Sequence, residues 1–125
     1  MARFEDLDVW KDAKTLSISI YQLMSGIKDY GFRDQIQRAA ISIMNNIAEG
    51  SEYGTEASFV HFLSIARGSC AEVRSMLYVC SELGYCSLEQ RDYLINLAWK
   101  ITASINKLIT YFKKKNETTQ PSNNE

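Results

Sequence analysis

Proline occurs once, at Pro121, and histidine once, at His61. Without a proline before position 121, no earlier segment is barred from a helix by a missing amide donor. A single histidine excludes sites that need several imidazole ligands. Apolar runs are short as well. None approaches the roughly 20 residues needed to cross a bilayer, and the amino terminus lacks the basic-then-apolar pattern of a secretion signal. No membrane partner and a cytoplasmic location are therefore expected. The net charge of −1 shows little excess of either sign, which removes the general attraction for nucleic acid of a strongly basic domain. Cysteine is also sparse and odd in number: Cys70, Cys80 and Cys86 show no paired metal-ligand spacing and read as small, reduced core residues.

Catalytic patterns are missing too. There is no glycine-rich phosphate loop and no nucleophile elbow. A di-iron bundle needs a glutamate three residues before a histidine, and Ser58 stands there before His61. The expectation is a non-enzymatic protein with no cofactor and no metal.

What the chain does have is helical periodicity. From Asp34 to Gly50, the residues Ile36, Ala39, Ala40, Ile43 and Ile47 recur at steps of three and four, with Ile41, Met44 and Ala48 widening the apolar face. Three further segments behave alike. Val9, Ala13, Leu16, Ile20, Leu23 and Ile27 predict a helix from about Leu7 to Ile27. Phe59, Leu63, Ala66, Cys70, Val73, Leu77 and Cys80 predict one from about Glu56 to Leu83, with Thr55 as its N-cap. Leu94, Ala98, Ile101, Ile105, Leu108 and Phe112 predict a fourth that opens on a Ser87–Gln90 capping box. Glycines fall where the periodicity lapses, apart from Gly68, where a gap for a close neighbouring backbone is expected. Four long helices with short connections predict an all-α, antiparallel up-down-up-down bundle over residues 1–115, and residues 116–125 read as a disordered polar tail.

Two sets of polar residues stand out. Asn46 lies on the packed face in line with Ala39, Ile43 and Gly50 and needs a hydrogen-bonding partner there. Antiparallel pairing brings Arg38 near Glu72, so Arg38, Asn46, Glu49, Ser69 and Glu72 are expected to form a structural cluster that fixes helix register. The second set consists of rows of cations: Lys100, Lys107 and Lys114 with Tyr111 beside them, Lys14 and Lys28 flanking Tyr21, and Arg67 with Arg74. Such rows can follow a phosphate backbone, with binding that is weak and salt-sensitive; the alternative is that they are solvated helix faces. Phe4, Trp10, Tyr21 and Tyr30 supply apolar surface that self-association would bury, unless Phe4 and Trp10 merely cap the core.

Five ordered motifs carry a resemblance: Phe4-Glu5-Asp6-Leu7-Asp8-Val9-Trp10, Gln35-Ile36-Gln37-Arg38-Ala39-Ala40, Asn46-Ile47-Ala48-Glu49-Gly50, Phe62-Leu63-Ser64-Ile65-Ala66-Arg67-Gly68-Ser69 and Leu83-Gly84-Tyr85. Together they resemble the bacterial four-helix proteins encoded in intervening sequences of 23S ribosomal RNA genes, a family that includes the accessory variability protein of diversity-generating retroelements. The resemblance implies a homopentameric ring and, for the retroelement branch, binding to RNA or DNA and to a reverse transcriptase. It carries over to Arg38, Asn46, Glu49, Gly68, Ser69 and Glu72, mainly as determinants of the bundle. This chain departs from the family pattern at Met44 and Asn45, where proline and serine often stand, and in its lack of strong positive charge. The expected function is that of an oligomeric binding or scaffold protein for RNA or an RNA–protein complex, the alternative being a protein-interaction module that binds no nucleic acid.

Overall fold

Four helices are present in a computed structural model that describes residues 3–119: α1 (Asp8–Leu23), α2 (Tyr30–Glu52), α3 (Glu56–Glu82) and α4 (Leu88–Thr119). Three of them begin where a side chain takes up a free amide of the first turn. Asp29 Oδ1 accepts from the Phe32 amide at 3.2 Å, and Thr55 Oγ1 from the Ser58 amide at 3.1 Å. At α4 the expected reciprocal pair forms: the Gln90 amide donates to Ser87 Oγ at 3.0 Å, and the Ser87 amide to Gln90 Oε1 at 2.9 Å. α1 has no side-chain cap and instead follows a 3₁₀ turn at Phe4–Asp6.

The first helix ends four residues before the expected Ile27. The chain leaves α1 through a turn at Met24 to Gly26, where Gly26 adopts a φ of 83°, a left-handed conformation that suits a residue without Cβ. α4 departs from expectation the other way, by running longer. It continues through residues 116–119 of the expected tail, and residues 120–125 lie outside the described residues.

α1 packs on α2, α2 on α3, α3 on α4 and α4 back on α1, whereas the backbones of the diagonal pairs stay apart. This is the expected up-down-up-down square, without a strand among the described residues. Each helix sends its periodic apolar row inward: Leu16 and Ile20, Ile43 and Ile47, Leu63 and Leu77, and Ile101 and Ile105 are all buried. Buried polarity is satisfied locally. The Ser17 hydroxyl lies 3.0 Å from the Ala13 carbonyl and 3.1 Å from the Ala40 carbonyl, joining α1 to α2. Among the described residues, no buried side-chain nitrogen or oxygen lacks a partner, and no helix is long and apolar enough to cross a membrane.

The close helix approach expected at Gly68 occurs at Gly50 instead. A Cβ on Gly50 would stand 2.8 Å from Phe62 Cβ and 2.9 Å from Phe59 Cδ1, so α2 and α3 meet there with no room for a side chain. A Cβ on Gly68 would meet nothing within 4 Å, because Gly68 sits on the outer face of α3.

Candidate nucleic-acid interface

Acidic residues are absent from two stretches that fold side by side. No Asp or Glu occurs between Glu56 and Glu72 in α3 or between Asp92 and Glu117 in α4. Because α4 buries Ile101, Ile105, Ile109 and Phe112, its opposite face carries Lys107 and Lys114 outward. These two lysines, with Asn106, Thr110 and Tyr111, line a shallow depression of about 400 Å³. Arg67 joins the same surface from α3, its Nη1 donating to Asn106 Oδ1 at 2.8 Å.

Two turns back along α4, the Arg74 guanidinium lies 3.8 Å from the centre of the Trp99 ring, while its Nη1 donates to Thr102 Oγ1 at 3.1 Å. Trp99 is 52% exposed and Tyr111 58%. Further along the same seam, Arg91 lies 5.4 Å from the Tyr78 ring centre and is tied to Ser81 at 3.3 Å and Asp92 at 2.9 Å. Along the α3–α4 seam two guanidinium groups are thus held against exposed aromatic rings, and Lys107 and Lys114 stand toward the carboxyl-terminal end of α4. Fixed cations can meet phosphates, and exposed ring faces can stack bases.

The seven expected cations do not share one surface. Arg67, Arg74, Lys107 and Lys114 come together on α3 and α4. Lys100 turns toward α1, where its Nζ lies 3.3 Å from Asp12 Oδ2, so the row of three lysines is broken at its first member. Lys14 sits over Trp10 at 5.6 Å, and Lys28 is exposed just beyond the end of α1. Sequence reasoning passed over Trp99, Asn106 and Arg91. Trp99 had a readable signal, since it falls outside the apolar row of Leu94, Ala98, Ile101 and Ile105 and so had to face outward.

A second surface lies between α1 and α2. Trp10, Ile18, Tyr21, Ile41 and Met44, together with Lys14, Ser17 and Gln22, line a groove of about 440 Å³. Phe4 packs edge-on against Trp10 at 5.1 Å beside it. His61 is exposed on α3 and meets the Phe62 ring at 5.5 Å. Among the described residues, no three His, Cys, Asp or Glu side chains converge as metal ligands would.

Compared with known proteins, residues 5–107 match the model of a family described as 23S rRNA-intervening sequence protein. The chain belongs to that family. A crystal structure of a protein of unknown function from the S23 ribosomal protein family of Bacteroides thetaiotaomicron shares the fold, with a TM-score of 0.75 at 24% identity over 81% of this chain and 97% of that one. Among curated proteins, none matches the sequence. Neither match brings an enzymatic activity with it.

In this 23S rRNA-intervening sequence protein, the expected polar cluster is assembled from different pairs. Asn46 Nδ2 donates to the Ser42 carbonyl at 2.8 Å and lies 3.0 Å from Ser42 Oγ, which stands 2.9 Å from Ser69 Oγ across the α2–α3 interface. Glu72 accepts from Gln35 Nε2 at 2.6 Å, and the expected Arg38–Glu72 pair does not form. The reason is angular. Gln35, Ser42 and Asn46 fall within about 20° of one line along α2, whereas Arg38 is turned about 60° away and is exposed, as is Glu49. Replacing Arg38 with alanine is therefore expected to change stability by less than about 0.5 kcal/mol, read as an unmoved thermal midpoint. A midpoint lowered by several degrees would restore Arg38 to the cluster.

Proposed function

We propose that this protein is a non-enzymatic scaffold that binds RNA through the α3–α4 surface, using Arg67, Lys107 and Lys114 for phosphates and Tyr111 and Trp99 for exposed bases. The observation that carries the proposal is the acid-free pair of segments, residues 57–71 and 93–116, which sets cations beside two half-exposed aromatic rings in a chain whose net charge is only −1. Uncompensated cations on one face create a local positive potential that the overall charge conceals.

The expected affinity is modest and falls steeply with salt. Three phosphate contacts on a single strand give a slope of log K against log salt of about −2. Fluorescence anisotropy with a labelled single-stranded RNA measures it. The double variant K107E/K114E is expected to weaken binding at least about tenfold at low salt and to flatten that slope, because two cations become anions at the contact surface. K28E, on a different face, is expected to leave affinity within about twofold. Equal losses in both variants, or no binding of the wild-type protein at low salt, would sink the proposal.

The α1–α2 groove supports a second element of the reading, self-association. A homo-oligomer, with the pentamer suggested by family resemblance as its expected form, would bury Trp10, Ile18 and Tyr21, and light scattering on an eluting peak reads the subunit number. A reverse transcriptase enters as a protein partner only through the resemblance to retroelement accessory proteins. If RNA binding fails while self-association holds, the protein-interaction module without nucleic acid becomes the better account.

A further inference from the structure

The turn that joins α3 to α4 brings two cysteines together against the core. Cys80 is the last core residue of α3 and is fully buried, while Cys86 lies two residues before α4, half-buried against the same core. The chain reverses between them at Gly84, whose φ is 75°, and two hydrogen bonds close the helix end: the Tyr85 amide to the Cys80 carbonyl at 2.9 Å and the Gly84 amide to the Ser81 carbonyl at 3.1 Å. This paired closure lays the following residues back across the helix end that carries Cys80. Both side chains pack on the same core, with the Cys86 sulfur adjoining that of Cys80. Their neighbour Tyr85 is fixed as well, its hydroxyl donating to Asp29 Oδ2 at 2.8 Å and its ring meeting Phe32 edge-on at 5.5 Å.

We propose that Cys80 and Cys86 form a reversible intrachain disulfide by exchange with a low-molecular-weight disulfide, stapling the end of α3 to the turn before α4. The half-buried Cys86 reacts first. Having lost its proton to water, its sulfur attacks one sulfur of glutathione disulfide; the protein–glutathione bond forms, the glutathione S–S bond breaks, and one glutathione leaves as the thiolate. Cys80 then attacks the Cys86 sulfur, its proton passing to the departing glutathione, which leaves as the thiol. Two protein thiols are oxidised, and one glutathione disulfide is reduced to two thiols.

The order of the steps follows from burial. Desolvation, and after it the adjoining Cys86 sulfur, pushes the Cys80 thiol up to about 12, so Cys80 supplies little thiolate and is the second to react. Cys70 takes no part. Its thiol is pushed up to about 11 by burial, against the lowering influence of Thr102 and Arg74, and among the described residues no other cysteine sulfur adjoins it.

The test uses the full chain incubated with glutathione disulfide, then denatured, alkylated with iodoacetamide and weighed. The expected product carries one alkyl group, on Cys70, has lost two hydrogens, and yields a peptide spanning residues 80–86 with an internal cross-link that dithiothreitol removes. Three alkyl groups, or glutathione retained on Cys86 of the wild-type protein, would overturn the proposal. In C80S the glutathione adduct on Cys86 is expected to persist, because the thiol that displaces it is gone. C86S, altered at the less buried position, is expected to form neither adduct nor cross-link, and a cross-link in C86S would likewise refute the assignment. Because the wild-type mass decides the matter by itself, the outcome does not depend on either variant folding.

Discussion

Replacing Gly50 with alanine is expected to lower stability by about 1–3 kcal/mol, the range for forcing a methyl group into a filled interface. The new Cβ would stand 2.8 Å from Phe62 Cβ, 2.9 Å from Phe59 Cδ1 and 3.4 Å from Phe59 Cα. A ring carbon can swing away, but Phe62 Cβ is fixed to its backbone, so relief requires α2 and α3 to separate. The better helix propensity of alanine, worth about 1 kcal/mol, works against this loss without cancelling it. In a domain of this size the net change corresponds to a melting temperature lower by several degrees, up to about 10 °C. The comparison variant is G68A, where the added methyl meets nothing within 4 Å and only the propensity gain remains. Its midpoint is expected to rise. Two midpoints moving in the same direction would show that the close contact between α2 and α3 is not at Gly50.

The second large effect is expected for Phe59→Ala. Phe59 is 2% exposed, lies against the gap left by Gly50, and packs on Phe112 of α4 with ring centres 5.2 Å apart, so a single side chain joins three helices. Deleting such a ring costs about 3–5 kcal/mol from lost transfer energy and the cavity left behind. Against a total of about 5–15 kcal/mol for a native domain, much of the stability is at stake. Chemical denaturation measures the loss. A loss below about 1 kcal/mol would mean that the site collapses freely and that Phe59 does not hold the carboxyl-terminal half of α4 in place.

The bundle was legible because its determinants are local and repeated. The rows Leu63–Ala66–Cys70–Val73–Leu77 and Ile101–Ile105 announce one buried face each, and Thr55 and Ser87–Gln90 mark helix starts by residue type alone. The end of α1 was less legible, since Met24 and Ile27 continue the apolar rhythm past the point where Gly26 bends the chain. The close approach was expected at Gly68 and occurs at Gly50, because spacing places a residue on a face without saying how near the next helix comes. The candidate interface suffered similarly. Heptad spacing put Lys100, Lys107 and Lys114 in one row, yet which member meets an acid depends on Asp12, far away in sequence. Likewise, Glu72 goes to Gln35 rather than Arg38 because a turn of about 60° on α2 separates two residues that spacing alone treats as neighbours.

The square arrangement sets α4 diagonally across from α2, so Lys107, Lys113 and Lys114 look away from Glu49 and Glu52, and the two groups are kept apart by the width of the bundle. A chain that is almost neutral in total thereby acquires a lasting electric dipole. As it diffuses toward a polyanion it tends to rotate so that α4 arrives first, within a range of about 8 Å at physiological ionic strength. Passed over a negatively charged resin at neutral pH, it would be retarded even though its isoelectric point of about 5.9 predicts free passage.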